Sequence, residues 1–239
     1  DNAGEISQFR STLPIMQKHY QGKNEVVLYL SGKLNINGVD IDGLIIKEDA
    51  IVLVEFKNYA GEIKAQANGD WFHGSERING GAKKKDGSSK TVFEQLKINR
   101  RALRDGLSRY IKNEDACNNI QALVVFSSIS SLKLDEEFKW GANAWVNVSD
   151  VEHICEELDT IKARTRSNKS IILTDGDIFD FIRSKRLDER YIITQYSDTN
   201  VMPGDLFHEE FAHNGDDFSP NVLLAKEKED KNKNKCFMC

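Results

Sequence analysis

The sequence has no run approaching the roughly 18 consecutive apolar residues that a bilayer-crossing helix needs. Its start, Asp1-Asn2-Ala3-Gly4-Glu5, also lacks the charged-then-apolar pattern of a secretory signal. The expectation is a cytoplasmic chain without a membrane partner. Cysteine is scarce: Cys117, Cys155, Cys236 and Cys239 are too few and too unevenly placed in 239 residues for a disulfide framework, which fits a reducing compartment. Positive charge is not in excess, and a formal net charge of -5 argues against a chain that coats nucleic acid by charge alone, while leaving room for a local basic face. No internal repeat is present. What remains, 39% apolar and 30% charged residues, is the makeup of one domain with an appendage or of two small domains.

Periodicity then divides the chain. Ile6, Phe9, Leu13 and Met16 recur at helical spacing, which predicts an amphipathic helix over residues 5–20 with a break or kink at Pro14. Residues 25–30 read as a short strand, with turns expected at Gly32 and over residues 35–38. From Asp40 to Tyr59, two apolar runs flank Glu48-Asp49, the pattern of a hairpin covered on both faces. Residues 61–78 suggest a more polar strand pair, and residues 80–89 a Gly/Lys/Ser loop. Val92, Leu96, Leu103, Leu107 and Ile111 form one helical stripe. Strands are expected over residues 120–126 and 144–148, then a helix capped by Ser149 or Asp150 that runs to Ile161, and a last helix starting at Asp175 or Asp177. Strands alternating with helices predict an α/β fold, a three-layer α/β/α sandwich around a mixed sheet, over residues 1–186. Residues 187–239 read as a C-terminal extension or linker, ending in a charged tract that cannot bury a core.

The hairpin carries the chemistry. If its loop is two or four residues centred on Glu48-Asp49, Leu44 faces Leu53 and Asp42 faces Glu55. Cross-strand partners have Cβ atoms roughly 4.5–5.5 Å apart, so two carboxylates would meet where like charges are destabilising. Lys57 follows on the same face, about 6.6 Å further along. An acid, acid, lysine group suits phosphodiester hydrolysis: hard oxygen ligands hold Mg²⁺ or Mn²⁺, and the lysine stabilises the growing charge. A three-residue loop would put the two acids on opposite faces. In the plainer reading, Lys57 pairs with Asp40 and the two acids sit at solvated strand ends.

The segments Ile41-Asp42-Gly43-Leu44-Ile45-Ile46 and Val54-Glu55-Phe56-Lys57-Asn58, with Gly61 and Trp71 after them, resemble the nuclease-related domain, a branch of the PD-(D/E)XK nuclease superfamily. Gly4-Glu5 is similar to the Gly-Glu of that family's first helix, and Gln95 to the glutamine after its central hairpin, although Thr-Val-Phe-Glu precedes it here in place of the frequent Asn-Pro. The resemblance covers roughly residues 4–127. It implies a restriction-endonuclease-like fold and a Mg²⁺- or Mn²⁺-dependent nuclease acting on DNA in preference to RNA. By it, Asp42, Glu55 and Glu5 would ligate metal, Lys57 would assist the attacking water and Gln95 would orient it. Glu94 and Asp40 are the rivals for these roles. The resemblance also implies fusion to a helicase, kinase or zinc-ribbon domain. A binding module that has lost turnover, or a docking domain, is the alternative.

Residues 83–112 hold ten basic residues against three acidic ones in an otherwise acidic chain. Lys97, Arg100, Arg101 and Arg104 recur in steps of three or four, a helical face able to follow a phosphate backbone and equally a plain solvated face. His208-Glu209 and His213 are one residue too widely spaced for a zinc-protease helix. Cys236 and Cys239 have the spacing of half a zinc knuckle. His19 and His153 have no partner visible in the sequence, His73 reads as a surface residue or a substrate contact, and Cys117 and Cys155 read as small apolar fillers.

Overall fold

The computed structural model describes residues 2–20, 27–36, 39–81, 83, 85–109, 111–165, 169–173, 192–194 and 221–224. The last predicted helix, His208, His213, Cys236 and Cys239 lie outside them.

The elements run α1 (Asn2–Tyr20), β1 (Val27–Ile36), β2 (Val39–Lys47), β3 (Ala50–Ala65), β4 (Trp71–His73), β5 (Glu76–Ile78), α2 (Val92–Leu107), α3 (Glu114–Asn118), β6 (Gln121–Leu134), α4 (Glu136–Trp140), β7 (Val146–Asp150), α5 (Ile154–Thr160), β8 (Ile192–Thr194) and β9 (Asn221–Leu224). The sheet is mixed. β1, β2, β3, β4 and β5 pair antiparallel in chain order, whereas β3–β6 and β6–β7 are parallel. A parallel pair needs a crossover, and α2 supplies it between β3 and β6. Helices α1 and α5 pack together, as do α2 and α3, and these two pairs flank the sheet.

β3 is the hub of the sheet. Its first eight residues, Ala50 to Lys57, are all buried, which is why the sequence there is apolar without alternation. One edge of β3 carries β6 along its length; the other carries β2 as far as Val54 and β4 only from Ile63. Gly61 sits between these two partners at φ +108°, a conformation that L side chains rarely adopt. Beyond it, Trp71 is fully buried, donates Nε1–H to the Gln66 carbonyl at 2.9 Å and stacks on Phe126.

Several expectations are corrected. Helix α1 runs through Pro14, an exposed residue, because Phe9, Thr12, Met16 and Tyr20 keep one face buried on both sides of it. β1 extends past Gly32, where a register shift between Ser31 and Leu34 absorbs the irregularity that reads as a turn. β6 runs to Leu134, well beyond its apolar part, because the second half of β3 offers it a partner. Two pieces of the expected extension, residues 187–239, are described, Ile192–Thr194 and Asn221–Leu224; both are strands, and β9 pairs with β1, which leaves the extension reading as it was.

The cap of α5 is also corrected. It is His153, while Asp150 accepts both the His153 backbone N–H and its ring nitrogen, at 3.1 and 2.6 Å. Burial pushes the Asp150 carboxyl up, but hydrogen bonds from His153 and Ile129 outweigh it and hold it below the usual range. The bond to Asp150 and its charge, helped by Glu156 and Glu152, raise His153 above the ordinary histidine value. The raised histidine stabilises the fold fully below its unfolded value of about 6.5 and loses that contribution as pH rises through the folded value. The depressed aspartate contributes above about 3.9 and loses its part as pH falls through its folded value. His153→Gln is therefore expected to lower the melting temperature most near pH 5.5 and least near pH 9; melts across that range check it, and a pH-independent difference would reject the linkage.

Candidate active site

The turn of the β2–β3 hairpin has the two residues Glu48 and Asp49, flanked by the pair Lys47 and Ala50. Leu44 therefore faces Leu53, as the sequence predicts, and the last paired rung is Gly43 with Val54. Asp42 and Glu55 are the residues just past this last pair. The Asp42 carboxylate turns to the strand edge, where Oδ2 accepts the Phe56 N–H at 2.9 Å and carries the hydrogen bonding one step past the paired backbone. Glu55 and Lys57 are both buried, and Lys57 Nζ donates to Glu55 Oε1 at 2.7 Å. Lys57 thus forms an ion pair with Glu55 on its own strand.

Helix α2 completes the arrangement. Thr91 caps it, accepting from the Glu94 N–H, while Glu94 Oε2 accepts from the Thr91 N–H in return. Such a capping box contributes about 1 kcal/mol and gives Glu94 a structural role, so Gln95 is left to face the sheet. Gln95 Nε2 donates to Asn99 Oδ1 at 2.7 Å, and Asn99 Nδ2 reaches Glu55 Oε2 at a long 3.5 Å. Gln95 Oε1 is buried with no hydrogen-bond partner among the described residues. A buried acceptor left unsatisfied costs about 1–3 kcal/mol, so this oxygen is a place where a donor is wanted.

Sequence reasoning missed Asn99 and Gln8. Asn99 had a signal: a polar residue one turn after Gln95, interrupting the apolar stripe Val92, Leu96, Leu103. Gln8, 4% exposed, donates Nε2–H to the carbonyls of Lys57 and Val125 at 3.1 and 3.2 Å. It ties β3 to β6 just before their register shifts beyond Lys57, and its Oε1, like that of Gln95, is buried without a hydrogen-bond partner among the described residues. One turn earlier, Gly4 approaches so closely that a Cβ there would lie 2.7 Å from Asn58 Nδ2. Glu5 lies in α1 between Gly4 and Gln8; its side chain is outside the described set.

The basic residues are elsewhere on α2. At about 100° per residue, Lys97, Arg100, Arg101 and Arg104 fall between about 140° and 240° round the helix from Gln95. Arg100 turns inward, donating to the Ile120 and Asn118 carbonyls at 2.6 and 3.4 Å with Cζ 4.6 Å from the Trp145 ring centre. The histidines also have partners: His19 with Asp159 at 2.8 Å, His153 with Asp150, and the His73 ring 5.7 Å from that of Tyr59. Cys117 and Cys155 are buried, as fillers should be.

Residues 11–127 match the family model described as nuclease-related domain. This segment is a nuclease-related domain. No curated protein and no solved structure matches the chain. The nuclease-related segment holds Asp42, Glu55, Lys57, Gln95 and Asn99, and begins after Gly4, Glu5 and Gln8. Among the described residues, no group of three His, Cys, Asp or Glu side chains is placed to hold a metal ion. The donors that are present suit a hard divalent cation nonetheless. Asp42 and Glu55 offer carboxylate oxygens and Gln95 an unspent amide oxygen; Mg²⁺ is commonly bound through one or two carboxylates, with water and substrate phosphate completing its shell.

Proposed function

We propose that the chain is a metal-dependent nuclease that hydrolyses phosphodiester bonds of DNA at the Asp42–Glu55–Lys57 site. Residues 1–186 form its nuclease unit, and residues 187–239 an extension toward a joined helicase, kinase or zinc-ribbon domain. One observation supports the reading above the others: a sheet buried on both sides brings an ion pair, two amide side chains and a second carboxylate to one point of β3. Apolar residues of similar volume would serve stability as well or better.

Asp42 and Glu55 would hold Mg²⁺ or Mn²⁺, with Glu5 as the third carboxylate that the family resemblance implies. A bound divalent cation supplies a water of lowered pKa and neutralises charge on the phosphate. Lys57, held at 2.7 Å by Glu55, places a positive charge where negative charge grows on the phosphate oxygens. Gln95 Oε1 would accept a hydrogen bond from the attacking water and so aim it, while Asn99 fixes the other end of that amide. Gln8 holds the Lys57 backbone from the opposite layer.

A binding module without turnover is the second reading, favoured by the presence of only two carboxylates at the described site. The test incubates the protein with linear, circular and single-stranded DNA, and with RNA, in Mg²⁺, Mn²⁺ and chelator, beside Glu55→Ala. Cleavage that requires the cation and disappears in the variant is expected. DNA binding with no cleavage in either cation would overturn the nuclease reading in favour of the binding module.

A further inference from the structure

On the side of α2 turned away from Gln95 lies a cavity of about 740 Å³, lined in part by Lys97, Arg100, Arg101, Arg104, Asp105 and Trp145. Its charge is lopsided: four cations face one carboxylate, in a chain whose net charge is -5. Asp105 is already paired with Arg104 at 2.7 Å. Lys97 rests on the Asn68 side-chain carbonyl at 3.0 Å, and Arg101 makes no hydrogen bond or ion pair among the described residues. Arg100 is part-buried with neutral carbonyls as its hydrogen-bond acceptors, and burial together with the neighbouring Arg104 disfavours its charge. Folding alone gains nothing from gathering like charges around a hollow.

Aromatic rings support the cations of the cavity. Arg100 lies over Trp145, which lines it, and Lys97 Nζ is 4.6 Å from the ring centre of Phe93, which stacks on Trp145 at 5.7 Å. Two cations are thus positioned on aromatic faces, while Arg101 and Arg104 extend at the rim.

We propose that this cavity is a second nucleic-acid contact, which takes the phosphate backbone of a strand at a distance from the cleavage point. It rests on the nuclease reading for its ligand class. Side chains included, a helix is about 10–12 Å across, so a strand reaching both sides of α2 spans about three nucleotides or more between the two contacts. The site therefore selects for a strand longer than the few nucleotides held at Glu55.

Fluorescence anisotropy in chelator, with a labelled 20-nucleotide single strand between 50 and 200 mM salt, tests it. The wild type is compared with Arg101→Gln/Arg104→Gln and with Lys18→Gln/Lys169→Gln, an equal loss of charge at exposed positions outside the cavity. Expected for the cavity variant are about tenfold weaker binding and a slope of log K against log salt reduced by roughly 1.4, two contacts at about 0.7 each. The control pair should keep the wild-type slope. An unchanged slope in the cavity variant, or an equal fall in both variants, overturns the proposal. Because no metal is present, failure of wild-type cleavage in the earlier test would leave this result readable by itself.

Discussion

Glu55→Gln is expected to lower the cleavage rate by about a thousandfold or more, the scale of losing a major electrostatic contribution to the transition state. It should also destabilise the fold, by about 3–5 kcal/mol, because it removes the carboxylate against which the buried ammonium of Lys57 is paired. Lys57→Met should act similarly from the other side. The double variant separates the two effects: with both charges gone, most of the lost stability returns and none of the activity does. Urea denaturation and cleavage assays on the four proteins measure this. A double variant less stable than either single one would mean that the pair is there for the fold, and cleavage by the double variant would remove Glu55 and Lys57 from the mechanism.

The second large effect is at Asp42, where charge and hydrogen bonding can be parted. Asp42→Asn keeps an oxygen able to accept the Phe56 N–H, so the fold should lose little, within about 0.5 kcal/mol. Asp42→Ala leaves that amide without its acceptor and should cost about 1–3 kcal/mol. Cleavage should disappear in both, since neither presents a carboxylate to the cation. Thermal melts and a Mg²⁺ titration of activity distinguish the outcomes: an Asp42→Asn enzyme that retained full activity at ordinary Mg²⁺ would show that this carboxylate serves only to cap the end of the β2–β3 pairing.

Much of this site was legible in the sequence because a hairpin obeys parity. Once Glu48-Asp49 is a two-residue turn, the facing of Leu44 with Leu53 follows, and Asp42 and Glu55 fall just past the last pair, Gly43 with Val54. Burial on both faces was legible for the same reason, from a run without alternation. Gln8 was not, since a glutamine on a helix carries no mark of the strands it will bridge 49 and 117 residues away. Arg100 was misleading in a different way. Its spacing places it with Lys97 and Arg104, but only the arrival of Trp145 and the end of α3 draws its guanidinium inward. Spacing along a helix fixes the direction in which a side chain leaves the backbone; what it meets there depends on segments remote in the chain.

The clamp made by Gln8 bears on where this protein can be cut. A fragment trimmed to the nuclease-related stretch would keep the hairpin acids, Lys57 and the α2 amides, yet lose the side chain that joins β3 to β6. It would lose β7 too, stripping the outer neighbour from the buried apolar run Ala122 to Phe126 of β6. A bare edge of that kind invites pairing between copies. The contacts that hold β3 and β6 thus reach past both ends of the matched stretch, and an expression fragment has to include Gln8 and β7 to keep them.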